Sequence, residues 1–123
     1  MITFKQFTFE AAHQIPPHST IHGHSFKVEV SFSGKPDPKF GWSVSLYELD
    51  KDIDAIKREV DHKYLNDIPG LECPSLENVA SWLWNRLSAN SPSLKRVVVS
   101  RGYDGQAEGA IYEGPGYQQA RAA

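Results

Sequence analysis

His22, Gly23 and His24 form an H-x-H triplet, and His13 lies nine positions before its first histidine. On a strand, residues two apart project from the same face, so His22 and His24 can act together. His13 on a neighbouring strand would complete a set of three imidazoles. Such a set suits zinc and leaves the fourth position open, which distinguishes a catalytic zinc from a structural one. Gly23 lets the backbone bend or approach a ligand closely. Taken alone, H-x-H more often marks surface histidines than ligands. His13, however, ends a second strand-like run, Ile2 to Ala12, and the loop joining the two runs is short and carries Pro16-Pro17. That arrangement favours the metal.

The elements that must hold these residues read strand, strand, helix, helix, strand, strand. Ser25 to Gly34 alternates most clearly, with Phe26, Val28, Val30 and Phe32 on one face and Lys27, Glu29, Ser31 and Ser33 on the other. Gly34 to Pro38 breaks the chain. Leu46, Leu49, Ile53, Ile56 and Val60 recur at helical spacing and predict an amphipathic helix ending near Asp61-His62. Pro69-Gly70 marks a turn. Ser75 is an N-cap for a second helix, whose apolar face is Leu76, Val79, Ala80, Leu83 and Leu87. Trp82 and Trp84 fall on that helix as packing or interface residues. Leu94 to Arg101 and Ala107 to Glu113 predict a closing hairpin around Asp104-Gly105. The expected architecture is α+β: an antiparallel four-stranded sheet with two helices on one face. Residues 1–117 read as one domain and 118–123 as a frayed tail. The uncovered face and sheet edges predict an oligomer whose sheets join side by side.

Bulk properties narrow the function classes. The chain has 123 residues, a net charge of −2 and a hydrophobic fraction of 40%, enough for one modest core. Lys and Arg do not cluster as a phosphate-tracking surface would require, so nucleic acid is not an expected partner. No apolar run approaches membrane-spanning length, and the first residues alternate Phe with polar types, so no secretory signal is expected. The single cysteine, Cys73, allows no internal disulfide and suits a reducing, cytoplasmic setting.

Several separated segments stand in one order: Phe9-Glu10-Ala11-Ala12-His13, His22-Gly23-His24-Ser25-Phe26, Val60 to Glu72 with Asp61-His62, and Glu77-Asn78-Val79-Ala80. In that order and over about Phe4 to Tyr112, the chain resembles the 6-pyruvoyl-tetrahydropterin synthase family. The resemblance is greatest to its bacterial 6-carboxy-tetrahydropterin synthase branch, which serves queuosine biosynthesis. The resemblance implies a tunnelling fold (T-fold) of ββααββ subunits forming barrels, commonly a hexamer, with active sites between subunits. It also implies zinc on His13, His22 and His24, with Asp61 and His62 as the catalytic pair. The implied substrate is 7,8-dihydroneopterin triphosphate, which loses triphosphate; the queuosine branch also releases acetaldehyde. Without the resemblance, Asp61-His62 reads as a helix C-terminus, where His complements the dipole.

Two departures from the family pattern bear on the chemistry. The family has a catalytic cysteine four residues before H-G-H; here that position is His18, either a replacement base or a solvated residue in a shortened loop. Cys73 is a second candidate replacement, since it precedes the Pro74-Ser75 segment that in the family lies near the pterin, and Ser75 is accordingly a substrate-binding candidate. The family also anchors the pterin's amino-pyrimidine edge with a glutamate. Counting back from Tyr112 puts Asp104 there, which its Asp-Gly context equally explains as a turn residue. Aligning the strand instead puts Ser100 or Arg101 there, and Arg101 cannot accept hydrogen bonds. Glu108 is a further candidate. Two readings follow: a zinc-dependent lyase acting on a pterin with an atypical base, or a diverged pterin-binding homologue without that activity.

Overall fold

Alternation of apolar and polar residues over two long runs produces the two central strands, β1 (Ile2–His13) and β2 (His22–Ser33). The computed structural model describes residues 1–17, 20–103 and 105–116. The candidates His18 and Asp104 and the tail 118–123 lie outside the described residues. Helix α1 spans Leu46–Val60, a short strand β3 spans Lys63–Tyr64, a 3-10 turn covers Leu65–Asp67, and helix α2 spans Leu76–Ser88. Strands β4 (Leu94–Arg101) and β5 (Glu108–Tyr112) close the fold.

The sheet order is β3-β1-β2-β4-β5. Neighbours are antiparallel except β3, which pairs in parallel with the end of β1 through Ala11↔Lys63 and Ala12↔Tyr64. The sheet is therefore five-stranded and mixed, which corrects the expected antiparallel four-stranded one. The cause is local. As the chain leaves α1, the Glu10 N–H donates to Asp61 Oδ1 at 2.9 Å and the His62 N–H donates to Glu10 O at 2.6 Å. These bonds lay the next residues alongside β1, and two residues are too few to show any periodicity in sequence.

The core lies between one sheet face and both helices. Phe7, Phe9 and Ala11 of β1, Phe26, Val28, Val30 and Phe32 of β2, and Val97 and Val99 of β4 are buried there. Leu49, Ile53, Ile56 and Val60 of α1 and Val79, Ala80, Leu83 and Leu87 of α2 pack over them. Each buried Leu, Ile, Val or Phe among them contributes about 1.5–3 kcal/mol. On the other sheet face Phe4 and Ile111 are exposed. Both helices start on serine caps: Ser45 Oγ accepts from the Glu48 N–H at 3.4 Å, and Ser75 Oγ accepts from the Asn78 N–H at 3.2 Å. Trp82 is buried and donates its Nε1–H to Pro69 O at 3.3 Å. Trp84 packs edge-on against Tyr112 and over Gly114, whose φ of +90° and lack of a Cβ admit the indole. Both tryptophans are packing residues. Among the described residues no helix is long and apolar enough to cross a membrane.

One side chain ties this framework to the end of β1. Asn66 accepts from the Gln14 N–H at 2.9 Å and donates to Gln14 O at 2.8 Å, fastening the residue after His13 to the 3-10 turn. Asn66→Ala is expected to lower the unfolding free energy by about 1–3 kcal/mol, read by urea titration at neutral pH; an unchanged midpoint would refute that role.

Candidate functional site

Register creates the site. His13 stands opposite His22 and Ala11 opposite His24 at the end of the β1–β2 pair, and Phe9 opposite Phe26 comes next. The three imidazoles therefore share the core-bearing face, just beyond the stacked rings of Phe9 and Phe26, whose centroids are 5.0 Å apart. One ring nitrogen from each of His13, His22 and His24 lies within 4.8 Å of the other two. His13 is fully buried; His22 and His24 are partly exposed.

Hydrogen bonds determine which nitrogens can act as ligands. His13 Nδ1–H donates to Pro74 O at 3.1 Å, and His22 Nδ1–H donates to Thr20 O at 2.7 Å, because a carbonyl only accepts. In the neutral rings Nε2 then carries the lone pair. These two Nε2 atoms face each other at 3.1 Å. His24 Nε2 is buried with no hydrogen-bond partner among the described residues. Burial pushes His13 down to about 4, reinforced by the neighbouring His22, His24 and Arg101 and opposed by the Pro74 carbonyl. Burial, then the charges of Arg101 and His22, also lowers His24. The Nε2 acceptors of His13 and His22 thus face each other, one nitrogen of His24 lies within 4.8 Å of a nitrogen on each, and Arg101 Nη1 stands 3.3 Å from His13 Nε2. Such a set fits a divalent cation, and three nitrogen ligands leave room for a fourth.

Asp61 and His62 form a second constellation. Asp61 caps α1, and His62 has a φ of +59°, in the left-handed region that non-glycine residues seldom occupy. Its N–H goes to Glu10 O rather than to a carbonyl of its own helix. His62 Nδ1 lies 3.0 Å from Asp61 Oδ2 with the ring exposed to solvent. The Glu10 N–H donated to its carboxylate, together with the His62 ring, holds Asp61 below the usual carboxylate range against the opposing effect of burial. His62 borders an open cleft of about 600 Å³ lined also by Glu10, Ala12, His24, Ser25 and Lys63. Glu10, Ala12 and Ser25 alternate with Ala11 and His24 along their strands and so project from the opposite sheet face. Among the described residues, no hydrogen bond, ion pair or ring contact joins Asp61 or His62 to the three histidines.

The remaining candidates divide. Pro74-Ser75 lies beside His13 through the Pro74 carbonyl, while the Ser75 hydroxyl caps α2. Cys73 is exposed. Glu108 Oε1 accepts from Arg101 Nε at 2.8 Å. The sequence reading missed Arg101 as a neighbour of the histidines; the available signal was its place at the end of β4, in register with Phe26. Thr20 and Pro74 were also missed, since they act through backbone carbonyls that any residue carries.

A family model described as 6-pyruvoyl tetrahydropterin synthase matches residues 2–114. The 6-carboxy-5,6,7,8-tetrahydropterin synthase of Synechocystis sp. is 37% identical over 108 residues, covering 80% of this chain and 84% of that protein. The dihydroneopterin monophosphate aldolase of Pyrococcus furiosus is 35% identical over 100 residues, covering 77% and 84%. Among solved structures, the 6-pyruvoyl tetrahydropterin synthase of Caenorhabditis elegans superposes with a TM-score of 0.83 at 22% identity, covering 93% of this chain and 95% of that one. At that identity the likeness is one of fold.

The geometry generates two expectations. His24→Ala should weaken zinc binding by more than about 100-fold, beyond the usual effect of losing an outer partner, with an unchanged circular dichroism spectrum. Stoichiometric zinc in that variant would refute the ligand set. In the metal-free protein, His13 titrates near 4 when folded against about 6.5 when unfolded. Between those values the unfolded chain binds more protons, so stability should be full above pH 6.5 and fall by a few kcal/mol toward pH 4. Urea midpoints measured across that window, with His13→Gln as comparison, check the slope.

Proposed function

The chain belongs to the 6-pyruvoyl tetrahydropterin synthase family, and from that premise we propose that it is a zinc-dependent pterin-processing lyase of the 6-carboxy-tetrahydropterin synthase type. Its substrate is 7,8-dihydroneopterin triphosphate or a close pterin. The observation that carries this reading is the convergence of three imidazole acceptors, with His24 Nε2 buried and unpartnered. His13, His22 and His24 hold the metal. When bound, zinc supplies a Lewis acid for the hydroxyls of the pterin side chain.

The chain's own residues supply positioning and proton transfer. Asp61 orients His62 through Nδ1, which leaves Nε2 to take and return a proton. His18, at the position of the family's cysteine, is the second base. Ser75, next to the Pro74 carbonyl that holds His13, and Asp104 bind the pterin. The protein works as a homo-oligomer, a hexamer, with sites between subunits. That assembly is supported by the exposed Phe4 and Ile111 on the sheet face that the helices leave uncovered. Residues 1–117 form one domain, and the lone Cys73 suits a cytoplasmic setting.

A second reading, a diverged pterin-binding homologue without the family activity, is favoured by one observation. Arg101 stands where strand alignment expects the anchor carboxylate, and Glu108 is engaged by it.

Zinc-loaded protein incubated with 7,8-dihydroneopterin triphosphate, its products resolved by mass spectrometry, should yield a carboxy-tetrahydropterin. His62→Ala should lower turnover by about 10²–10⁴-fold while retaining zinc. A hydroxymethyl product would mean an aldolase of the kind named for the Pyrococcus relative. Unaltered substrate with zinc bound would select the binding homologue.

A further inference from the structure

Neither the metal ligands nor the acid-base pair accounts for the ion pair of Arg101 and Glu108. Arg101 ends β4 opposite Phe26, so its side chain shares the face that carries the imidazoles. Its cross-strand partner in β5 is Glu108, and Nε donates to Glu108 Oε1 at 2.8 Å. The Arg101 side chain is only 18% exposed, whereas that of Glu108 is 63% exposed. A well-covered guanidinium is therefore held from its outer side and directed inward, where Nη1 reaches 3.3 Å from His13 Nε2.

That contact conflicts with metal binding. His13 Nε2 has one in-plane lone pair, because Nδ1 carries the proton given to Pro74 O. A cation on Nε2 takes that lone pair, leaving the Nη1–H without its acceptor and a fixed positive charge beside the metal. Arginine keeps its charge at any relevant pH, so the conflict is not relieved by losing a proton. A negatively charged oxygen lying between the guanidinium and the metal position relieves it. The guanidinium fork matches carboxylate and phosphate oxygens, and Nη2 has no protein acceptor among the described residues. The opposite charge, a carboxylate, would instead suit the amino-pyrimidine edge of a pterin.

We propose that Arg101, positioned by Glu108, is an oxyanion receptor facing the metal position, selecting ligands with a carboxylate or phosphate group there. The assignment rests on the metal site of the proposed function. Arg101 touches the ligand; Glu108 acts through Arg101 and is a positioning residue.

The test is calorimetric titration of zinc-loaded protein with inorganic phosphate and, in a separate arm, with acetate. Wild-type protein is expected to bind one oxyanion, and the tighter of the two probes identifies the ligand's acidic group. Arg101→Met should raise the phosphate Kd at least tenfold with zinc stoichiometry unchanged, and Arg101→Lys should fall between. Glu108→Gln, which keeps the guanidinium but loosens it, should raise the Kd severalfold without abolishing binding. Equal Kd values in wild type and Arg101→Met, or no binding to zinc-loaded wild type, would overturn the proposal. Should wild type take up no zinc, the metal reading fails on its own. Phosphate titration of the metal-free protein then decides for Arg101: binding lost in Arg101→Met upholds the receptor, and absence of binding overturns it. Thermal melts of each variant separate loss of binding from loss of fold, with Arg101→Lys as the conservative control.

Discussion

The register between β1 and β2 sets His13 opposite His22 and Ala11 opposite His24, and the rest of the site follows from that pairing. Because side chains alternate with a period of two, a slip of one residue would turn His22 and His24 to the outer face and leave His13 alone in the core. The register is held by burial. Phe7, Phe9, Phe26, Val28 and Val30 all lie on the face that the helices cover, and the same slip would expose Phe26, Val28 and Val30. The position of the imidazole cluster is thus specified by the hydrophobic core a few residues away.

Placing imidazoles at the rim of that core changes their chemistry. Burial disfavours the charged form, so His13 and His24 give up their protons more readily than exposed histidines do. The carbonyls of Pro74 and Thr20 then select the tautomers that aim Nε2 inward. The result is a cluster in which His13 and His24 hold protons poorly, suited to a cation. Arg101 stands at its margin with its charge partly balanced by Glu108, so the electrostatics of the cluster depend on β4 and β5 as well as on the two strands that supply the imidazoles.

The Asp61-His62 pair is held by different means. It is positioned by hydrogen bonds to the backbone of Glu10 and by a left-handed conformation at His62. Such a conformation costs about 1–3 kcal/mol and persists only where the surroundings impose it. The two constellations share β1, one through the His13 side chain and one through main-chain groups at Glu10.

Local pattern in the sequence determined much of this molecule. Alternation placed β1, β2 and β4; helical spacing and the serines at positions 45 and 75 placed both helices; H-x-H with His13 marked the three imidazoles. Each is a property of residues near in sequence, with a period that side-chain geometry imposes. The family pattern added Asp61 and His62 as a pair. Only the tertiary structure decided that β3 joins the sheet in parallel, because two residues carry no period and their pairing depends on Glu10, some fifty positions away. It alone decided which imidazole nitrogens face inward, since the carbonyls of Thr20 and Pro74 are invisible to residue type. It also brought Arg101 to His13 across 88 positions. That contact requires two strands and their register to exist first, and no local spacing encodes it.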